Sequence, residues 1–373
     1  MQNNYEFWAE YLKKIRKEIL LLCKNKNDIY IDMHIHSNYS ADGKQNIKQI
    51  LESTKEKGFD VIAITDHDNI DVYDEIYNYV KTGITYPIIV PGIEFTVDNR
   101  EYGNQCHILQ LFVNPKDKEI IKNVKTNYVA SFNRSKIQFK RLKENKAIQE
   151  ILKKANIKIS YLDYVEFIQK ESLFPEYDTL IKYLMTKFKA KNITTFEILE
   201  RLEFYNNIDC YEDRKNHKIK KFKKLKEKYA FEEINYYNER FLLSMLAIKE
   251  VDDNWWDKPS SGSLSVNSYG QLKVEELNTN FITVFAHPTE TKLSIVSKII
   301  DENKNIIGLE KNIRNEYNNI NNFMNLLKNK KLYKIIGSDS HDNSMIFYED
   351  MDFYKISAKE FANFEKECNN GKN

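Results

Sequence analysis

Apolar and charged residues recur at helical spacing from residue 5 to residue 24, which predicts an amphipathic helix. Asp28–Met33 is a short β-branched run and predicts a strand. Asn46–Lys57 predicts a helix closed by Gly58 just past its end. Asp60–Thr65 predicts a buried strand, Val72–Val80 a short helix, and Pro87–Ile93 and Cys106–Val113 two further strands. Strands alternating with helices in this way predict a parallel α/β sheet or barrel. From about Pro115 to Asn280 the pattern changes to mostly charged helix. Thr194 with Glu197 has the spacing of a capping box opening a helix through Phe204, Arg214–Tyr229 is Lys-rich, and Phe231–Lys249 is amphipathic. Pro259-Ser260-Ser261-Gly262-Ser263 predicts a loop. The α/β rhythm returns at Phe281–Ala286, Ile306–Leu309 and Tyr333–Gly337. No internal repeat is visible. The division read from this pattern is a helix over 1–27, a barrel over 28–115 and 281–345, a mostly helical insertion over 116–280, and a tail or helix over 346–373.

Composition narrows the class. A chain of 373 residues corresponds to about two and a half domains at ~150 residues each, and one large barrel with an insertion fits equally. With 42% hydrophobic and 30% charged residues, the chain can bury a core and is no disordered tail. A net charge of +2 excludes a globally basic nucleic-acid coat but leaves room for local basic patches. Apolar runs such as Ile19–Cys23 fall far short of the ~20 residues of a membrane span. Charges run through the apolar residues of the N-terminus, so no signal peptide is expected. Cys23, Cys106, Cys210 and Cys368 form no CxxC pair, which argues against a disulfide framework or a Cys-rich zinc site and for a reducing cytoplasm. Asn and Lys are abundant in the manner of AT-biased coding, which weakens arguments from Lys runs. Only ten glycines are present, so the place of each is informative.

The chemistry lies in the histidines. There are seven, and six fall at or within expected strands: His34, His36, His67, His107, His287 and His341. The seventh, His217, lies in the Lys-rich helix and reads as an ordinary polar residue. Asp42, Asp66, Glu94, Glu310 and Asp339 occupy similar places. In a parallel barrel the carboxyl ends of the strands share one face, where catalytic residues collect. Side chains two apart on a strand share a face, so His34 and His36 can reach one ion. Imidazoles and carboxylates without thiolates suit Zn, Mn or Fe better than Mg or Ca. Gly43, Gly92, Gly308 and Gly337 stand beside these positions.

Six ordered segments resemble the PHP family of polymerase and histidinol phosphatase domains. Asp32-Met33-His34-Ile35-His36-Ser37 through Asp42-Gly43 is similar to its opening motif, and Thr65-Asp66-His67 to its TDH motif. Gly92-Ile93-Glu94 and His107-Ile108-Leu109 resemble its GxE and HxL motifs. Ala286-His287-Pro288 and Gly337-Ser338-Asp339-Ser340-His341 resemble its closing motifs. The resemblance implies a distorted (β/α)7 barrel with three divalent metal ions (Zn, Mn or Fe). It places His34, His36, Glu94 and Asp339 on one ion, Glu94, His107 and His287 on a second, and Asp42, His67 and His341 on a third. His34, His36, Glu94 and Asp339 would form the catalytic core, with Asp66 and Glu310 orienting the histidines. It further implies hydrolysis of a phosphate ester by a metal-activated water.

Two features depart from the family. Where some branches carry an Arg phosphate clamp, this chain has Glu290, with Lys292 nearby as a point charge. The insertion over 116–280 is the other. Its run Arg214–Lys228, including Lys220, Lys221, Lys223 and Lys224, has the character of a phosphate-backbone contact, and equally of a solvated helix face. Ser261 and Ser263 lie in a loop suited to bonding substrate oxygens, or in a plain connector. No P-loop motif is present, so an ATPase activity would have to come from a separate partner, by analogy with larger bacterial proteins. The expected activity is therefore a metal-dependent phosphoesterase. A nuclease acting on nucleic acid is one form, and a phosphomonoesterase acting on a nucleotide or small phosphorylated metabolite is the other.

Overall fold

The computed structural model describes residues 4–40, 42–83, 85–97, 106–144, 149, 152–171, 173–175, 177–191, 272–277, 281–288, 293–312, 316–341 and 351–370. Among them, eight strands form one sheet: β1 (Asp28–Ile35), β2 (Val61–Ile64), β3 (Ile88–Val97), β4 (Cys106–Leu111), β5 (Ile282–Phe285), β6 (Ile306–Asn312), β7 (Tyr333–Gly337) and β8 (Lys355–Ser357). Their order across the sheet is β7-β6-β5-β4-β3-β2-β1-β8. The helices are α1 (Asn4–Asn25), α2 (Ile47–Lys57), α3 (Val72–Val80), α4 (Lys118–Glu144), α5 (Tyr161–Lys170), α6 (Tyr177–Lys189), α7 (Leu293–Glu302), α8 (Glu316–Lys330) and α9 (Ala358–Asn370).

The sheet closes into a barrel at one end. β1 pairs with β2 along one edge. Its other edge is divided: Asp28–Tyr30 pair with β8, and the far end meets the segment after β7. There the Asp339 N–H donates to His34 O and the His36 N–H to Ser340 O, each at 2.9 Å. The apolar runs of the sequence fit strands covered on both faces, and all ten residues of β3 are buried. α1 covers part of the barrel by burying Trp8, Ile15 and Ile19, each contributing about 1.5–3 kcal/mol. The Tyr11 hydroxyl donates to Ile89 O at 2.9 Å, and Arg16 pairs with buried Glu365 of α9 at 2.8 Å. α2 begins and ends as its sequence predicts. Asn46 and Gln49 form a reciprocal capping box, and Gly58 takes the left-handed conformation at φ 82°.

Two expectations are corrected. The sheet is not wholly parallel, because β4 runs antiparallel to both β3 and β5. Only residues 98–105 join β3 to β4, fewer than the dozen or so that a parallel crossover needs. The C-terminal segment, expected as a tail or helix, also contributes β8, whose three residues are too short to register as a period-two pattern. The chain forms two compact units, one of Met1–Val129 with Gly270–Asn373 and the other of Ala130–Tyr269. The boundary falls inside the continuous helix α4. Within the second unit, Phe139, Tyr164 and Tyr183 are buried together, with Tyr164 and Tyr183 edge to face at 5.4 Å. Among the described residues no helix is long and apolar enough to cross a membrane.

Candidate metal centre

The antiparallel course of β4 matters for the chemistry. His107 lies near its first residue, and that end faces the carboxyl ends of the parallel strands. The register sets His107 opposite Thr96, two residues past Glu94, so both side chains enter the same face of the barrel. β1 delivers His34 and His36, the end of β2 delivers His67, β5 leads into His287, and β7 leads into Asp339 and His341.

Glu94 is the centre of the cluster and is fully buried. Its Oε1 lies 3.1 Å from His107 Nδ1 and 3.0 Å from His287 Nε2. Its Oε2 lies 3.1 Å from both His34 Nε2 and His36 Nε2, and 3.0 Å from His67 Nδ1. Asp339 Oδ1 stands 3.2 Å from His36 Nε2 and 3.5 Å from His34 Nε2. Beside this group, Asp42 Oδ2 lies 2.8 Å from His341 Nε2 and 3.5 Å from His67 Nε2. Three sets have ligand atoms close enough to share an ion: His34, His36, Glu94 and Asp339; His67, Glu94 and His107; and His36, Asp42, His67 and His341. The expected second group is also close together: Glu94 Oε1 lies 3.1 Å from His107 Nδ1 and 3.0 Å from His287 Nε2, and those two nitrogens are 3.2 Å apart.

Surrounding hydrogen bonds fix how the rings face. His34 Nδ1 meets Glu310 Oε1 at 2.9 Å, which leaves Nε2 for the cluster. Glu310 Oε2 also accepts the backbone N–H of His287 at 2.6 Å, so one carboxylate sets two histidines. His341 Nδ1 faces Asp339 O at 2.7 Å, which directs its Nε2 toward Asp42. Asp66 acts differently from Glu310. It accepts from the N–H and the hydroxyl of Ser37, each at 2.6 Å, and so holds the turn after His36. Asp32, Ser37 and Ser338 join this framework although sequence reasoning gave them no role. Asp32 Oδ1 accepts from Ser338 N at 2.9 Å and His34 N at 3.3 Å, across the closure of the barrel. A charged residue within the apolar run of β1 was the available signal. Asp68, His287 and Asp339 carry positive φ of 48°, 25° and 53°, conformations that non-glycine residues keep where surrounding bonds enforce them.

Several ring nitrogens also crowd one another. His34 Nε2 and His36 Nε2 are 3.0 Å apart, and His107 Nδ1 and His287 Nε2 are 3.2 Å apart. Among the described residues Glu94 Oε2 accepts no hydrogen bond, although three imidazoles approach it. Lone pairs at such distances repel unless a proton or a cation lies between them. Electrostatics point the same way. Burial and the proximity of His34 and His67 act in opposite directions on Glu94, and the imidazoles win, holding its pKa well below the usual range. Asp42 is lowered likewise, burial being outweighed by His341 and His67. Burial opposes charge on His34 and His36, yet the carboxylates outweigh it and raise both, His36 to about 10. Burial pushes Asp32 up to about 7 and Asp66 up to about 6. Glu94 and Asp42 are thus buried carboxylates whose charged form is favoured by the surrounding imidazoles. The nitrogen and oxygen donors of the cluster, lacking thiolate, fit divalent Zn, Mn or Fe.

The expected substrate contacts Lys220, Lys221, Lys223, Lys224, Ser261, Ser263 and Lys292, with Glu290, lie outside the described residues.

The family model of the PHP domain matches residues 32–201. The match stops before β5, so the fold, rather than the matched stretch, brings His287, Asp339 and His341 to the others. No curated protein matches the chain in sequence. A solved structure from Bifidobacterium adolescentis, assigned as a metal-dependent phosphoesterase, is 15% identical with a TM-score of 0.52, covering 84% of this chain and 87% of its own. An amidohydrolase from Chromobacterium violaceum, solved with bound sulfate and no metal, is 14% identical with a TM-score of 0.49, covering 88% of this chain and 98% of its own.

Proposed function

Because the chain carries a PHP domain over residues 32–201, we propose that it is a metal-dependent phosphoesterase. The observation that carries the reading is the convergence of five imidazoles on the buried carboxylate of Glu94. In this reading His34, His36, Glu94 and Asp339 hold one ion, Glu94 with His107 and His287 a second, and Asp42, His67 and His341 a third. When bound, such ions supply a water acidified toward neutral pH and positive charge for phosphoryl oxygens. The chain's own residues do the arranging. Glu310 keeps the Nδ1 proton of His34 and frees its Nε2 lone pair. The carbonyl of Asp339 does the same for His341. Asp32 and Asp66 fix the backbone on either side of His34 and His36. Burial of most of the ligand set keeps competing water from those donor atoms.

The sign of the proton linkage makes a prediction. His34 and His36 are protonated in the metal-free protein up to their raised pKa values, so metal binding must displace those protons. Apparent affinity for Zn should therefore rise about tenfold per displaced proton for each pH unit between 6.5 and 8.5, approaching about a hundredfold if both protons leave. Competition titrations against a chelator whose own pH dependence is known check this. A flat affinity would mean that the imidazoles are already neutral.

For the substrate, we infer a polynucleotide, supported by the basic run Arg214–Lys228 in the sequence. The test is a cleavage assay with Mn and Zn on end-labelled single-stranded and duplex DNA and RNA, beside nucleotides and p-nitrophenyl phosphate. Asp339→Ala serves as the control. Metal-dependent shortening that the variant lacks supports a nuclease. Phosphate release from small esters alone replaces that reading with a phosphomonoesterase, and no metal-dependent release from any ester sinks both.

A further inference from the structure

One buried side chain outside the ligand set ties the site to both ends of the chain's excursion into the second unit. Asn127, on α4, is fully buried. Its amide nitrogen donates to Asp68 Oδ1 at 2.5 Å and to Thr96 O at 2.9 Å. Its amide oxygen accepts the backbone N–H of Leu272 at 3.0 Å. Both amide hydrogens and the oxygen are thereby engaged, which is what a buried asparagine requires. The partners are not random. Asp68 follows His67 directly, and Thr96 is two residues past Glu94 on β3. Asn127 and Leu272 each lie two residues inside the points where the chain leaves the barrel unit at Val129 and re-enters it at Gly270.

The turn that Asn127 holds is the one that presents His67 to Glu94. The Asp68 N–H donates to Glu94 O at 2.9 Å, and His67 bridges to Glu94 in parallel fashion. Asp68 then turns the chain away at φ 48°, a left-handed conformation that few non-glycine residues adopt and that its side-chain bonds hold in place. Asp68 Oδ1 accepts from both Thr96 N, at 3.2 Å, and Asn127. Without Asn127 that carboxylate loses a buried side-chain donor, and the left-handed turn loses its restraint from α4.

Resting on the metal-centre reading above, we propose that Asn127 is a positioning residue, which sets His67 against Glu94 through Asp68 and makes the order of that loop depend on the closure of the chain at Leu272. It touches neither metal nor substrate. A residue that supports a metal ligand from outside typically changes affinity by 10–100-fold.

The experiment compares wild type, Asn127→Ala and Asn127→Ser, which keeps one hydrogen-bonding group. Co(II) is titrated into each full-length, metal-free protein and followed by its visible absorption. kcat and KM are then measured on whichever phosphoester wild type cleaves. Asn127→Ala is expected to weaken its most affected Co(II) step by at least about tenfold and to lower kcat with KM changed less than about twofold. Asn127→Ser is expected to fall between. Combining Asn127→Ala with Asp68→Ala should add little further loss, because both act on one link. Should Asn127→Ala fail to fold, Asn127→Ser carries the comparison. Folded variants with wild-type Co(II) affinity and spectrum overturn the proposal, as do losses that add fully in the double variant. The Co(II) titration needs no turnover. A wild type that binds metal yet cleaves no phosphoester therefore overturns the proposed function and leaves the role of Asn127 to be decided by affinity.

Discussion

Glu94→Gln should abolish turnover, lowering kcat by at least about a thousandfold, because the substitution keeps shape but removes the charge on which five imidazoles converge. No neighbouring carboxylate can replace it, since Asp339 and Asp42 each face only part of the set. Metal content by elemental analysis should fall together with activity. The metal-free protein should suffer as well. His34 and His36 have folded pKa values raised above the ordinary 6.5, so their contribution to stability is complete below pH 6.5 and fades as pH rises through the folded values, about 10 for His36. Glu94 itself is depressed, and its contribution is present above pH 4.5. The stability difference between wild type and Glu94→Gln should therefore be largest near pH 5–6 and shrink toward pH 10. Denaturant titrations of the metal-free proteins at both ends of that window check this. A variant with wild-type metal content would show that Glu94 is not the shared ligand.

The second large effect is expected at a residue with no side chain. A Cβ on Gly337 would lie 2.2 Å from Glu310 Oε1 and 2.6 Å from the Cβ of His34. Neither neighbour can yield. Glu310 is held by His34 Nδ1 and His287 N, and His34 lies in the middle of the barrel closure. Gly337→Ala should cost about 1–3 kcal/mol in stability from overpacking. By displacing Glu310 it should also lower metal affinity by about 10–100-fold. Gly58→Ala is the control. Nothing lies within 4 Å of its Cβ, and only its positive φ is strained, so it should lose about 1 kcal/mol and leave metal binding unchanged. Equal effects of the two substitutions on metal affinity would show that the close approach at Gly337 has no bearing on the site.

Much of the barrel was legible because its strands are buried on both faces and stand out as apolar runs between helical periods. Helix α2 shows this most clearly, since its capping box and terminal glycine act within a few residues of sequence. The cluster was legible for a related reason. Its histidines and carboxylates sit at the ends of those runs, where a change of residue type is conspicuous. Strand direction was not legible. The antiparallel course of β4 follows from the length of the link before it and from pairing with β5, a strand far away in sequence. The supporting residues were harder still. Asp32 stands out as a charge within an apolar run, but its bond to Ser338, like that of Asn127 to Leu272, joins positions far apart in sequence. Asp66 was visible as a candidate, but its partner proved to be Ser37 and not a ring.

The closure of the barrel carries a consequence for biosynthesis. The bonds that join β1 to the segment after β7 are made by His34, His36, Asp339 and Ser340, so the last seam of the fold and the ligand set are the same place. His107 and His287 are 180 residues apart. At a translation rate of about 5–20 residues per second, about 10–40 s pass between the emergence of one and of the other. During that interval the nascent chain displays His34, His36, His67, Glu94 and His107 without their later partners. A metal ion captured then would occupy an open half-site, and the chain must close around it or release it before Asp339 can take its place.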